Sequence, residues 1–595
     1  MFKAFLLGFV AALTLQSAYG QPVTANARPS SPAPGPTAAP PAGLGAPQAV
    51  EQTQLAEDAF ATGTLARGQG ALEPTLWKRA DPARVGFLLD AAPARPSGPS
   101  LGEALRRTLL TPGESPQGAP VSLGGKKLLV LARAGFIEEA RTIASLSNAA
   151  RNDPFVGQAL AVADLLDGSA NEACKRNASL TSGRDAPFWV KLRVLCFSMT
   201  GAKDAADLSL TLLREQGFLN DADSAILAAV VAGAQGIAPA APQNALHLAS
   251  LRFLQAPIVA GMLSEADAGV LKAIANDGAV AQGARVEAAV KAAAMGVVSH
   301  GELQALFDSF EVEVGDVGRA SDLARARSGD PLADVILYKS VRAMSAPEFL
   351  RDKAARLAEA LALADTFPRA YAASVLYAED IAELEGALVS PAEAGRFAVA
   401  RMALGDGDGA ARWLFSMIGA GVSSLSAADS ASLGDLVNLL AILDPISAKA
   451  VAEAANIGIE TRAVRPQGAV GAPLADSDAA ARIIESAFDA AIDDSPGQAA
   501  LAALASSTLI WANDPTGRVI ISQSLRAAGF NELRRRMDFE AVWRGRFALE
   551  AAPAPVTRPA PAPVSASPAG AAPALSTGGA AVEPKPRVKP KRDQG

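Results

Sequence analysis

Asp153 to Leu180 reads DPFVGQALAVADLLDGSANEACKRNASL, and from Ala186 the stretch APFWVKLRVLCFSMTGAKDAADLSLTLLREQG repeats its plan 33 residues later. Pro154 and Phe155 recur as Pro187 and Phe188, while Gly135, Gly168 and Gly201 are each followed five positions on by an alanine, namely Ala140, Ala173 and Ala206. A fixed period of that size across residues 121–217 predicts helical hairpins, each with an apolar face that it can bury only against a neighbour. In the middle copy Asp153 is placed to cap the first helix, and Pro154 sits in the first turn, where a missing N–H costs nothing. Gly168 is placed to end that helix, and Ala173 lets the next helix pack closely against it. Leu160, Val162, Leu165 and Leu166 of this copy become Arg193, Leu195, Ser198 and Met199 in the next, so the backbone plan is kept while side chains drift. Phe155, Phe188 and Trp189 are expected as wedges between hairpins. The expected fold is all-α, an α-solenoid of stacked helical hairpins.

Composition points the same way. Of the 595 residues 50% are hydrophobic, whereas Tyr (4), Trp (5) and His (2) are scarce, which leaves helix-forming material and little site chemistry. A formal net charge of -7 argues against nucleic acid as a partner, because phosphate binding needs a basic face. Lys3, the apolar stretch from Phe5 to Leu15, and Ala18-Tyr19-Gly20 before Gln21 read as a secretory signal peptide, so a periplasmic chain beginning near Gln21 is expected. No later segment reaches the roughly 18 to 20 uninterrupted apolar residues of a membrane span, so no transmembrane segment is predicted. The two cysteines, Cys174 and Cys196, fall at equal heights on adjoining helices on either side of the turn near Asp185. In an oxidising compartment they are expected to form a disulfide, the alternative being two separate buried thiols.

Breaks in composition divide the chain into a signal peptide (1–20), a disordered Pro/Ala-rich linker (21–50), an N-terminal helical cap (51–120), the helical repeats (121–310), a second helical block (320–460), C-terminal helices (475–549) and a disordered Pro-rich basic tail (550–595). Leu76-Trp77 is the expected apolar contact of the cap. The tail ends in KPRVKPKR, Lys585 to Arg592, whose dispersed charges suit at most weak contact with anionic lipid or cell-wall polymer.

LARAGFIEEAR, Leu131 to Arg141, and RMALGDGDGAAR, Arg401 to Arg412 with Gly405 and Ala410, carry the Gly-to-Ala spacing most plainly. This spacing resembles that of the tetratricopeptide repeat family, whose hairpins have a similar Gly at the inter-helix turn and a small Ala in the second helix. The resemblance spans about 100 residues and, more faintly, about 20 others. The usual aromatic positions of the first helix are missing, so it implies a divergent helical-hairpin solenoid and carries no family ligand with it.

Candidate chemistry is sparse. ESAFDAAIDDSPGQA, from Glu485, resembles the start of the soluble lytic transglycosylase signature, with Glu485, Ser486, Phe488 and Gly497 matching in type and order. Its Gly-Leu-Met-Gln run is replaced by Ala-rich sequence at Ala499 to Ala503, and only about 50 foldable residues remain, too few for a sugar-binding cleft. Glu485 is therefore expected as an exposed residue of an amphipathic helix. Asp406-Gly407-Asp408-Gly409 lacks the ligands of a calcium loop and reads as a hairpin turn with Asp408 as N-cap. His247 and His300 have no metal-ligand spacing and are expected to be structural or surface residues. Arg534, Arg535, Arg536, Arg544 and Arg546 are expected on a solvated helix face. No catalytic residue, cofactor or metal is predicted. The expected role is a periplasmic scaffold or adaptor that binds other envelope proteins or peptides; a glycan-cleaving enzyme and a chaperone or holdase are the alternatives.

Overall fold

Asp153 acts as its position predicts: Oδ1 accepts the amide hydrogens of Phe155 (2.8 Å) and Val156 (3.1 Å) and opens the helix Pro154–Leu166. That helix is the fifth of the chain in a computed structural model that describes residues 58–147, 152–327, 329–419, 426–460, 478–492, 494–509 and 515–550. The expected signal peptide and linker lie outside the described residues, as does the expected basic tail beyond Glu550, which ends the last described helix. Among the described residues there are 27 α-helices and no strand, so the protein is all-α. The first twelve are α1 (Pro82–Ala91), α2 (Pro99–Leu110), α3 (Ser122–Arg133), α4 (Ile137–Leu146), α5 (Pro154–Leu166), α6 (Ala170–Ser179), α7 (Pro187–Met199), α8 (Lys203–Glu215), α9 (Asp221–Ala232), α10 (Ala245–Phe253), α11 (Ala268–Asn276) and α12 (Gln282–Ala294).

The repeated residues sit at equivalent places in three antiparallel pairs, α3–α4, α5–α6 and α7–α8. Gly168 ends α5 at φ +79°, a left-handed conformation that glycine alone adopts without strain, and Gly135 and Gly201 do the same at +90° and +77°. Ala140, Ala173 and Ala206, in the first turn of each second helix, are buried where the two helices approach. Pro154 and Pro187 occupy first-turn positions. Cys174 on α6 and Cys196 on α7 are bonded as a disulfide, with Cα atoms 5.6 Å apart.

Packing then departs from a stack in which each unit touches only the next. α5 lies against α3 and also against α10, while α11 reaches back to α3 and α5, so the helices after the third pair fold over the face of the first two. The ends of the described chain also meet. Helix Pro496–Leu509 packs on α1 and α2, and helix Asn531–Glu550 packs on α2. Gly497 N–H donates to Leu76 O (2.9 Å), and a Cβ on Gly497 would land inside the buried Trp77 indole. Ser100 donates through N (3.1 Å) and Oγ (2.6 Å) to the fully buried Glu540.

The terminal arginines expected in solvent are in part drawn inward by this closure. Arg536 Nη2 donates to the Tyr371 hydroxyl (3.0 Å), and the Arg544 guanidinium lies 4.1 Å above the Phe367 ring. One continuous hydrophobic core runs from Ala59 to Trp543 across the breaks near 310–320 and 460–478, with a small separate cluster of Val190, Val194, Leu210, Leu213 and Leu227.

Candidate functional site

The fold-back of α9, α10 and α11 over α3, α5 and α7 leaves a cavity of ≈ 230 Å³. Its lining follows the sequence repeat. Leu129 and Val162, Arg133 and Leu166, and Gln158 and Lys191 are pairs 33 residues apart, so the same helical face of successive hairpins supplies one wall. Leu246 and Val270 come from the helices folded over it. Phe188 is half-buried against the cavity while its neighbour Trp189 is 1% exposed, so Trp189 is the wedge between hairpins and Phe188 belongs to the cavity. Phe155, also half-buried, carries the Lys126 ammonium 5.4 Å from its ring centre.

Charge enters from two sides. On the first, Asp223 is the third residue of α9 and shares a reciprocal cap with Asn220, whose Oδ1 accepts the Asp223 amide hydrogen at 2.7 Å. Its carboxylate takes Lys191 Nζ at 2.8 Å on one oxygen and His247 Nε2 at 2.9 Å on the other. The Gln243 N–H points at His247 Nδ1 from 3.3 Å. A backbone N–H can only donate, so Nδ1 carries the lone pair and Nε2 the hydrogen given to Asp223. Burial pushes the Asp223 carboxyl up, but the hydrogen bonds from His247 and Lys191 outweigh it and hold it at about 2. His247, fully buried, is thus a structural residue at the back of the cavity; His300 does not line it.

On the second side Arg133, in the last turn of α3, faces Asp267, with Nε and Oδ2 3.7 Å apart. Asp267 stands at the N-cap of α11, yet its side chain accepts no hydrogen bond from that helix. Burial raises its carboxyl above the usual range, and Arg133 only partly opposes the shift. Arg133 and Asp267 also border a wider groove of ≈ 880 Å³ whose far wall carries Phe367 and Arg544. The other cations of that groove are already paired, Arg95 with Glu265 (2.6 Å) and Lys291 with Glu287 (2.5 Å).

The remaining sequence candidates lie elsewhere. Glu485 is exposed on helix Asp478–Ile492 and makes no hydrogen bond or ion pair among the described residues. At the Asp-Gly-Asp-Gly turn the cap is Asp406, not Asp408: Asp406 Oδ1 accepts the Gly409 amide hydrogen (2.8 Å), whereas Asp408, two residues on and already inside the helix, accepts from Ser447 Oγ (3.1 Å). Among the described residues no cluster of His, Cys, Asp and Glu could hold a metal, and no helix is long and apolar enough to cross a membrane.

Arg133, Lys191, Asp223 and Asp267 had no local motif to mark them, since they come from four helices brought together by the fold. The available signal was register: Gln158 and Lys191 are polar at equivalent positions of successive first helices. No protein-family model, no curated protein and no solved structure matches the chain.

Proposed function

We propose that this chain is an exported, periplasmic helical-repeat adaptor that holds partner proteins within an envelope-associated assembly. The observation that carries the reading is on α8. Its inner face buries Ala206, Leu210 and Leu213, but Leu208 and Leu212, four residues apart on one face, are 71% and 41% exposed. Phe218, exposed at 41%, follows just past the helix end. Exposed apolar side chains scattered singly need no explanation, whereas a pair on one helical face is the pattern that a partner helix covers. The Cys174–Cys196 bond suits an oxidising compartment. Beside the cavity Asp223 holds His247 and Lys191 at once, an arrangement that fixes the direction of both side chains.

A photo-crosslinking residue at Leu208 in living cells tests this. The expected result is a discrete adduct with one envelope protein, lost when Leu212→Lys is added. A ladder of many adducts would favour a holdase, and no adduct would remove the adaptor reading. Glu485→Gln is expected to complement a deletion strain fully; loss of function at normal protein level would instead favour glycan cleavage.

A further inference from the structure

Three charged groups at the cavity have hydrogen-bonding capacity that the protein itself does not use. Arg133 meets Asp267 through Nε at 3.7 Å, and its side chain is 42% exposed, which leaves the two terminal nitrogens of its fork for an entering partner. Lys191 gives one of its three N–H groups to Asp223 and has two left. The Asp267 side chain is 15% exposed, faces Arg133 at 3.7 Å and does not cap the helix it begins. At 3.7 Å the Arg133–Asp267 pair is longer than a direct hydrogen bond, so each member can still take a charged partner that enters the cavity. The walls between these groups are apolar: Leu129, Val162, Leu166, Phe188, Leu246 and Val270.

From this geometry we infer that the cavity is a binding site for a small zwitterion with an apolar body, an α-amino acid with an aliphatic or aromatic side chain. Opposite charges 3.7 Å apart on Arg133 and Asp267 match a carboxylate and an ammonium carried on one carbon. The Arg133 fork takes the carboxylate, with Lys191 supplying a second positive group in the same cavity, and Asp267 takes the ammonium. The side chain then lies on the apolar walls. The volume of ≈ 230 Å³ equals about eight waters' share of liquid, which suits a molecule of that size and excludes a folded segment. This site is separate from the α8 stripe and does not depend on the adaptor reading.

Isothermal titration of the full chain with leucine and phenylalanine tests the proposal, with N-acetyl-leucine lacking the ammonium and leucinamide lacking the carboxylate as comparators. Leucine or phenylalanine is expected to bind at least about tenfold more tightly than either blocked analogue. Arg133→Gln is expected to weaken binding at least about tenfold while leaving the circular dichroism unchanged. Asp267→Asn is expected to weaken binding at least about tenfold while leaving the circular dichroism unchanged. Equal binding of N-acetyl-leucine, no binding of any amino acid, or unaltered binding by both variants would each overturn the proposal. Crosslinking at Leu208 remains as in the wild type in either variant, so failure here leaves the adaptor reading standing.

Discussion

Asp223 joins a lysine from α7 and a histidine from α10 through a single carboxylate, and the consequence is a defined acid sensitivity. Its folded-state value of about 2 lies below the ordinary 3.8, so as pH falls the unfolded chain takes up the proton first. The stabilisation, on the order of 2 kcal/mol, is complete above about pH 4 and lost by about pH 2. Chemical denaturation at several pH values is expected to show that loss in the wild type and its absence in Asp223→Asn. None of the three partners could be read from the chain as a partner. His247 lies 24 residues from Asp223 and Lys191 lies 32, with no motif between them. Sequence spacing reports contacts within one helix, whereas these depend on how three helices cross.

Within the elements, legibility was far better, because caps and turns are decided by neighbours a few residues away. Gly168 shows why. Its φ of +79° is a conformation that a β-branched residue resists, and the only close atom to an added Cβ is Arg252 Nη1 at 3.8 Å. The cost of Gly168→Val is therefore backbone strain, about 1–3 kcal/mol, whereas Gly168→Asn should lose well under about 1 kcal/mol. Urea melts of the two variants distinguish this from a packing effect, in which the larger side chain alone would decide. The cysteine pair was equally readable, since a regular hairpin period places Cys174 and Cys196 at one height. The bond closes a loop across a sequence separation of 22, and Cys174→Ser with Cys196→Ser is expected to cost about 3 kcal/mol. A change below about 1 kcal/mol would mean that hairpin stacking alone orders the unfolded segment.

At the scale of the whole molecule, the contact between the first and last described helical segments changes how the protein should unfold. A stack of units that touch only neighbours can open from either end. Here Leu76, Trp77, Asp81 and Ser100 are held by Gly497, Gln498 and Glu540, so neither end is free to fray alone. Gly497→Val forces a branched side chain into the Trp77 ring, and overpacking of that kind costs about 1–3 kcal/mol. The variant is expected to expose the 58–110 segment to limited proteolysis before the α5–α6 pair. Cleavage that begins between α5 and α6 would show that the closure contributes little.

What the chain by itself determined is the set of local instructions: an all-helical composition, the Gly and Ala that shape each hairpin, Asp153 and Pro154 at a helix start, and two cysteines in matching register. Each depends on residues at most a turn or a hairpin apart, where backbone geometry allows few answers. Tertiary structure alone decided that α10 and α11 fold over the first hairpins, that Arg133, Lys191, Asp223 and Asp267 face one cavity, that Glu540 is buried and that Arg536 is drawn half-buried against Tyr371. Those outcomes follow from burying apolar area wherever complementary faces meet, a non-directional force that leaves no spacing in the sequence to read.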